Sequence, residues 1–490
     1  MKSPQKKKAN RIIKKNPLLP AKDETIDESP SQSRTEELEK ARKEELRLNR
    51  EKVGDDAANK IRVIWNTIDL PGEAIPDSQY NHLGLPLSER PRFTGHQLVV
   101  LNPEINAISQ EKIAGKASLR MANIRDFTNP ETFSLEATLK DADGLIFDKL
   151  NVALISSQNN GKLGRIMAST EGSRGFLMRE PERFIYSLST SATPLSSMNI
   201  NNSPAATWGI HAINAIGSQH TGRGIRVAIL DSGFITTHPS FVGKKIVTKS
   251  FLEGNSSAED EFGHGTMCAG IACGLRHDQY GYQFGVAHDA EIYIGRVLDK
   301  NGTGRDGDLL QAIQWAMDEG CKVISMSVGG ANLPGERFSP AFEMAAATGL
   351  KEGTLLVAAA GNESNRQYGL KSPVVHPANC PSIMAVQAVD GNCAIYNFGC
   401  SCMEEDGGRV DIAAPGVDII SSWLPTQNYT FDTGTSLATP FVAGIAALYW
   451  EADPAASAAE IWLKLIQTAR RLPYSSADVG AGLVYYKNNS

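Results

Sequence analysis

Four side chains in the second half of this sequence are of types that together could break an acyl bond. They are Asp231 in Asp-Ser-Gly, His264 in Gly-His-Gly-Thr, Asn362 in Ala-Ala-Ala-Gly-Asn and Ser436 in Gly-Thr-Ser-Leu-Ala-Thr-Pro. A hydroxyl becomes a useful nucleophile beside a general base, and histidine titrates nearest neutrality. A carboxylate behind the ring would fix its tautomer, and an amide donor would hold the developing oxyanion. Each residue alone also has an ordinary reading. Ser436 could be an N-cap, Asp231 and Asn362 turn residues, and His264 a structural histidine. Only as a set do they point to chemistry.

The elements around them must bring the four together. Ser436 opens the stretch FVAGIAALYW (441–450), apolar on nearly every side, which predicts a helix buried in a large core. Its first turn leaves backbone N–H groups without intrahelical partners, and Pro440 is expected in that first turn, where no hydrogen bond is lost. IRVAIL (225–230), AEIYIGRVL (290–298), CKVISMSV (321–328) and TLLVAAAG (354–361) read as buried strands, and GDLLQAIQWAMDEG (307–320) as an intervening helix. Such alternation predicts a mostly parallel sheet covered on both faces. Asp231 and Asn362 then fall at carboxyl ends of strands, where ligand crevices form.

The order Asp231, His264, Ser436, without a G-x-S-x-G elbow, resembles that of the subtilisin-like serine proteases. DSG (231–233), GHGT (263–266), AAAGN (358–362) and GTSLATP (434–440) are similar to that family's four active-site blocks, and the resemblance covers about 207–487. It implies a three-layer α/β/α domain, 207–490, hydrolysing peptide bonds through an Asp231–His264–Ser436 triad, an oxyanion site at Asn362 and an acyl-enzyme. It also implies substrate-binding strands at Gly302-Thr303-Gly304 and Ser327-Val328-Gly329, with Ala359, Ala360 and Gly361 lining the primary pocket. Val375 falls where the prototypes carry a glycine, which predicts a shallow apolar pocket preferring Leu over Phe, Tyr or Lys. An aspartate that ligates calcium in the prototypes falls at Ser240, and the loop GLRHDQYGYQFG lacks their asparagines, so neither metal nor cofactor is expected. Alternatives on the same scaffold are a peptide ligase or cyclase and a non-catalytic peptide-binding pseudoprotease.

Before this domain the sequence divides in three. Residues 1–58 are charge-rich and poor in aromatics, which predicts a disordered tail with a solvated helix over 36–52. Residues 59–188 read as a small α+β unit, with strands at HQLVVLN (96–102), FSLEATLKD (133–141), FDKLNVALIS (147–156) and FLMREPERFIYSL (176–188), and a helix over 109–124. Residues 189–206 read as a Ser/Thr/Asn/Pro-rich linker. The unit resembles the family's ferredoxin-like propeptide, which implies an intramolecular inhibitor whose tail lies in the cleft. Leu188 would then fill the primary pocket and mark a self-cleavage point.

The bulk numbers bound the rest. A formal charge of -6 over 490 residues gives no case for a nucleic-acid partner, and no apolar run reaches the roughly 18 residues that span a bilayer. The start of the chain has no apolar h-region. Seven cysteines, an odd and low count, favour reduced thiols and a cytoplasmic setting. The partners expected are protein or peptide substrates, and the chain is expected to be a monomer. Cys400-Ser-Cys402, with Cys380 and Cys393, fits no strong zinc spacing.

Overall fold

The computed structural model describes residues 92–105, 114–115, 118–127, 134–169, 172–188, 205–275, 281–332, 336–403 and 408–488. The expected tail (1–58), its 36–52 helix and all of the linker but 205–206 lie outside them.

The small unit comprises strands β1 (Phe93–Leu101) and β2 (Met121–Asn123), helix α1 (Leu135–Asp141), strands β3 (Gly144–Phe147) and β4 (Val152–Ile155), helix α2 (Asn160–Ala168) and strand β5 (Phe176–Ser187). The larger part runs through β6 (Arg226–Asp231), β7 (Ile246–Ser250), α3 (His264–Cys273), β8 (Glu291–Arg296), β9 (Thr303–Arg305), α4 (Asp306–Asp318), β10 (Val323–Met326), β11 (Val328–Gly329), α5 (Pro340–Glu352) and β12 (Leu355–Ala359). It closes with β13 (Met384–Val389), β14 (Ile412–Pro415), β15 (Ile419–Ser422), β16 (Tyr429–Asp432), α6 (Thr435–Ala452) and α7 (Ala458–Thr468).

The main sheet has the order β14-β13-β12-β10-β6-β8-β7 and is parallel throughout. Its strands are apolar along their length because both faces are covered. Val227, Ile229, Ile292, Ile294, Val323, Leu355 and Val357 point to one face and pack with α3 and α6. Their neighbours Ala228, Leu230, Tyr293, Ile324, Met326, Leu356 and Ala358 point to the other and pack with α4 and α5. This alternation is the period of two that a strand imposes on its side chains. The three-layer α/β/α expectation is met.

The small unit repeats the pattern with an antiparallel core, order β5-β1-β4-β3, and β2 added parallel to β3. Leu98, Val100, Leu145, Phe147, Val152 and Leu154 join the core shared with α4 and α5. Val99, Leu101, Ile146, Ala153 and Ile155 face α2 instead.

Three expectations fail here. FDKLNVALIS is not one strand: Phe147 ends β3, residues 148–151 turn, and Val152–Ile155 form β4. FSLEATLKD is a helix, not a strand: Leu135, Thr138 and Leu139 are buried, and Ser134 caps it by accepting from the Ala137 N–H. Leu135 and Leu139 lie four apart, a spacing that fits both a two-residue and a helical period. The expected helix over 109–124 includes residues 121–123, which form β2; pairing with β3 overrides local preference there.

Candidate active site

Asp231 is the last residue of β6. Its Oδ1 accepts from the Ser232 N–H at 2.7 Å and meets His264 Nδ1 at 2.8 Å, with both side chains fully buried. His264 is the first residue of α3, and its backbone setting is built from small residues. Gly263 has φ +101°, and a Cβ there would lie 2.8 Å from the Trp423 ring. A Cβ at Gly265 would lie 2.3 Å from the Gly233 carbonyl oxygen, so only glycine lets α3 come this close to the Asp231 loop. Asp260 pins the turn before the histidine: its carboxylate accepts from the Ser232 hydroxyl, the N–H groups of Phe262, Gly263 and Thr266, and the Thr266 hydroxyl. Burial disfavours a charged His264 ring, but the Asp231 carboxylate outweighs it and holds the ring's pKa well above the usual histidine range.

Ser436 is the second residue of α6. Pro440 is the sixth, not a first-turn residue, so the proline does remove one helical hydrogen bond, the one that would satisfy the Ser436 carbonyl. Two side chains replace it: the Ser327 hydroxyl donates at 2.7 Å and the Cys268 thiol at 3.7 Å. The same Cys268 sulfur lies 3.9 Å from each ring nitrogen of His264 and so bridges the histidine and the serine. The Ser436 hydroxyl itself donates at 3.1 Å to the Leu188 carbonyl; among the described residues it has no hydrogen bond to His264.

Asn362 lies three residues beyond β12. Its Oδ1 accepts from the Thr435 N–H and hydroxyl, both at 3.0 Å, which orients its Nδ2 toward Ser436. That Nδ2 donates to the same Leu188 carbonyl. One carbonyl oxygen thus sits between an amide donor and the hydroxyl at the mouth of a helix.

Strand β5 delivers that carbonyl. It pairs antiparallel with β9 on one side, Ile185 opposite Gly304, and with β11 on the other, Ser187 opposite Val328. The Ser187 N–H donates to the Gly302 carbonyl at 2.8 Å, and the Leu188 N–H to the Ser327 carbonyl at 3.4 Å. The Leu188 side chain is buried in one apolar cluster with Ala331, Ala359, Val375 and Cys400. Gly329 faces this cluster, for a Cβ there would lie 3.1 Å from Leu188 Cδ1, and a Cβ at Gly361 would meet Val375 at 2.5 Å. Ala360 is not brought to the pocket: it packs into the core under the main sheet.

Sequence reading missed two residues on β5. Glu182 is buried and accepts from the Gly307 N–H in the first turn of α4 at 2.9 Å; its other oxygen accepts from the Thr94 hydroxyl. Glu180 accepts from the Ser339 hydroxyl at 2.6 Å and the Ala341 N–H at 2.9 Å, at the start of α5. Two carboxylates two residues apart share one face of a strand, and here they meet two helix N-termini, where unpaired N–H groups and the helix dipole favour negative charge. The spacing Glu-x-Glu in MREPER was the available signal.

Among the described residues, the metal-type donors that cluster are Asp231, His264 and Cys268. Nδ1 of the ring is engaged by Asp231, and burial raises the thiol's pKa, which keeps it protonated. Ser240 bonds the Tyr429 hydroxyl at 2.7 Å; residues 276–280 of the adjoining loop lie outside the described residues.

Residues 222–482, more than half of the chain, match the subtilase family of S8 peptidases. The chain belongs to the subtilase family. It is 35% identical over 286 residues to the thermostable alkaline protease of Halalkalibacterium halodurans, covering 58% of this chain and 73% of that one. It is equally similar, over 280 residues, to subtilisin BL of Lederbergia lenta (56% and 96%) and, over 251, to thermitase of Thermoactinomyces vulgaris (51% and 83%). This subtilase is a subtilisin-like serine endopeptidase. No helix among its described residues is long and apolar enough to cross a membrane.

Proposed function

We propose that this subtilase is made as a self-processing zymogen that cleaves the peptide bond after Leu188. Ser436 Oγ attacks the Leu188 carbonyl carbon while His264 takes the hydroxyl proton. Asp231 keeps the ring's second nitrogen paired and stabilises the imidazolium, and the Asn362 amide with the Ser436 N–H hold the oxyanion. The amine of residue 189 leaves with the proton from His264. Water then attacks the acyl-enzyme, giving its proton back through His264, and frees the Leu188 carboxylate and the serine. For attack the Ser436 hydroxyl turns from the Leu188 oxygen toward the His264 ring.

The observation that carries this reading is the Leu188 carbonyl oxygen lying against both the Asn362 amide and the Ser436 hydroxyl. The strand before it lies in the cleft as an extended substrate would, by β-addition on both edges. Residues 59–188 therefore act as intramolecular inhibitor, and the residue preceding the cut bond is an apolar one of Leu size. The low and odd cysteine count supports a reducing compartment, and we take the working form to be a monomer.

Expressing wild type beside Ser436→Ala tests this. Wild type gives a new N-terminus at residue 189 and labels with a fluorophosphonate; the variant stays full length and unlabelled. Equal-length products from the two proteins would end the proposal.

A further inference from the structure

A thiol packs in the buried apolar cluster that holds Leu188. Leu188, Ala331, Ala359, Val375 and Cys400 are buried together. Two glycines gauge the spacing. A Cβ added at Gly329 would lie 2.9 Å from Val375 Cγ2 and 3.1 Å from Leu188 Cδ1. One added at Gly361 would lie 2.5 Å from Val375 Cγ1 and 2.9 Å from the Cys400 sulfur. Val375 thus shares one neighbour, Gly329, with Leu188 through one methyl, and another, Gly361, with Cys400 through its other.

The sulfur is held in place. The Cys400 N–H donates to the Gly361 carbonyl at 3.0 Å, and the sulfur accepts from the Glu363 N–H at 3.4 Å. The Cys400 carbonyl accepts from Gln387 Nε2 at 2.5 Å and from Arg366 Nη2 at 3.3 Å, and Arg366 is itself anchored on Asp478 at 2.8 Å. Val375 is tied by its N–H to the Ala360 carbonyl at 3.0 Å. Both backbones are tied, and a β-branched side chain has few χ1 options, so the Val375 side chain shifts only as far as its packing neighbours allow. Burial pushes the Cys400 thiol up to about 12, so it is a neutral packing atom at working pH.

We infer that Cys400 determines how large a residue the primary pocket accepts, by backing the Val375 side chain that closes it. The inference rests on the proposal that Leu188 occupies that pocket. Cys400 is a positioning residue here: it acts through Val375.

The test uses the full-length chain, allowed to process itself, as wild type, Cys400→Ala and Cys400→Met. Each is assayed for kcat/KM on three peptides that differ only in Leu, Phe or Ala before the cut bond. Removing the sulfur lets Val375 retreat, and the Phe-to-Leu ratio rises by about tenfold, the lower end of what one methylene is worth in an apolar pocket. Adding bulk does the opposite, and Cys400→Met raises the Ala-to-Leu ratio. A residue serving only stability would lower all three substrates in proportion. Ratios within twofold of wild type in both variants would overturn the inference. Should Cys400→Ala fail to fold, Cys400→Ser supplies the smaller atom, with the same direction expected and the same unchanged ratio counting against it. A wild type that prefers a residue unlike Leu would instead defeat the assignment of the pocket to Leu188, leaving the ratio shifts as a separate result.

Discussion

Replacing Glu182 by Ala should loosen the strand that covers the cleft without touching the catalytic groups. Glu182 is 1% exposed, and one of its oxygens accepts from the Gly307 N–H at 2.9 Å within the first turn of α4. A hydrogen bond to a charged group contributes about 1.5–3 kcal/mol net. The helix-terminus charge effect adds roughly 0.5 kcal/mol. Allowing for some water reaching the freed N–H, the loss should be about 2–3 kcal/mol, or roughly 30–150-fold in the opening equilibrium of β5. The assay is amide hydrogen exchange in the uncleaved Ser436→Ala chain, read at Ser187 and Leu188, whose N–H groups bond to Gly302 and Ser327. Those amides should exchange faster by that factor while amides of β6 and β10 keep their rates. Glu182→Gln, which keeps the shape but not the charge, should give an intermediate change. Unchanged exchange at Ser187 and Leu188 in Glu182→Ala would mean that the β-ladders alone hold the strand, and that the helix-terminus argument is wrong.

Four further outcomes are expected. Asn362→Ala should lower kcat by about 10²–10³ with little change in KM, the scale known for one oxyanion donor in subtilisin rather than a figure worked from this structure; steady-state kinetics on a Leu peptide checks it. Ser327→Ala leaves the Ser436 carbonyl, already deprived of a helical partner by Pro440, to the weak Cys268 thiol donor at 3.7 Å, and should cost about 1–3 kcal/mol in chemical denaturation of the Ser436→Ala chain. Burial, opposed by Arg305, pushes Asp308 up to about 7 at the start of α4, so its contribution is full below about 4 and is lost as pH rises through 7. The melting temperature of the Ser436→Ala chain should therefore fall between pH 5 and 8, and Asp308→Asn should flatten that fall. Asp478 is the reverse case: burial is outweighed by Ser401, Arg366 and Lys371, which hold it at about 2, so its contribution is present above 3.8 and lost as pH falls through 2. The shift corresponds to at most about 2.5 kcal/mol, and solvent screening reduces that to about 1 kcal/mol, which Asp478→Asn should remove at neutral pH in a denaturant titration.

The groups around Ser436 were readable because each is carried by a short local signature. Asp231 follows an apolar strand, His264 stands between glycines, and Asn362 ends another strand; the chain order supplied the rest. The strands of the main sheet were legible for a related reason: burial on both faces leaves continuous apolar runs. In the small unit the same signals misled. FSLEATLKD satisfies two periods at once, and what decides between them is the burial of Leu135 and Leu139 against residues distant in sequence. Glu180 and Glu182 carry no local sign of their role because the helices they meet begin about 125–160 positions later. Pro440 was placed one turn too early, and nothing in its neighbourhood reveals that Ser327, more than a hundred residues away, makes its position tolerable.

The cleft is bounded by two edge strands, β9 of three residues and β11 of two. Strands that short expose little unpaired backbone, and on the proposed function they would be the edges that receive a substrate strand. The strand between them is of another kind. β5 is twelve residues long, pairs along its first part with β1, and only its last residues reach the cleft. Occupancy of the cleft is thus tied to the fold of the small unit. A cut after Leu188 would sever neither the β1–β5 ladder nor the contacts of Glu180 and Glu182 with α5 and α4. On the proposed processing, cleavage and opening would be separate events with separate barriers: the first set by the geometry around Ser436, the second by the β5 ladders together with the carboxylates that meet α4 and α5.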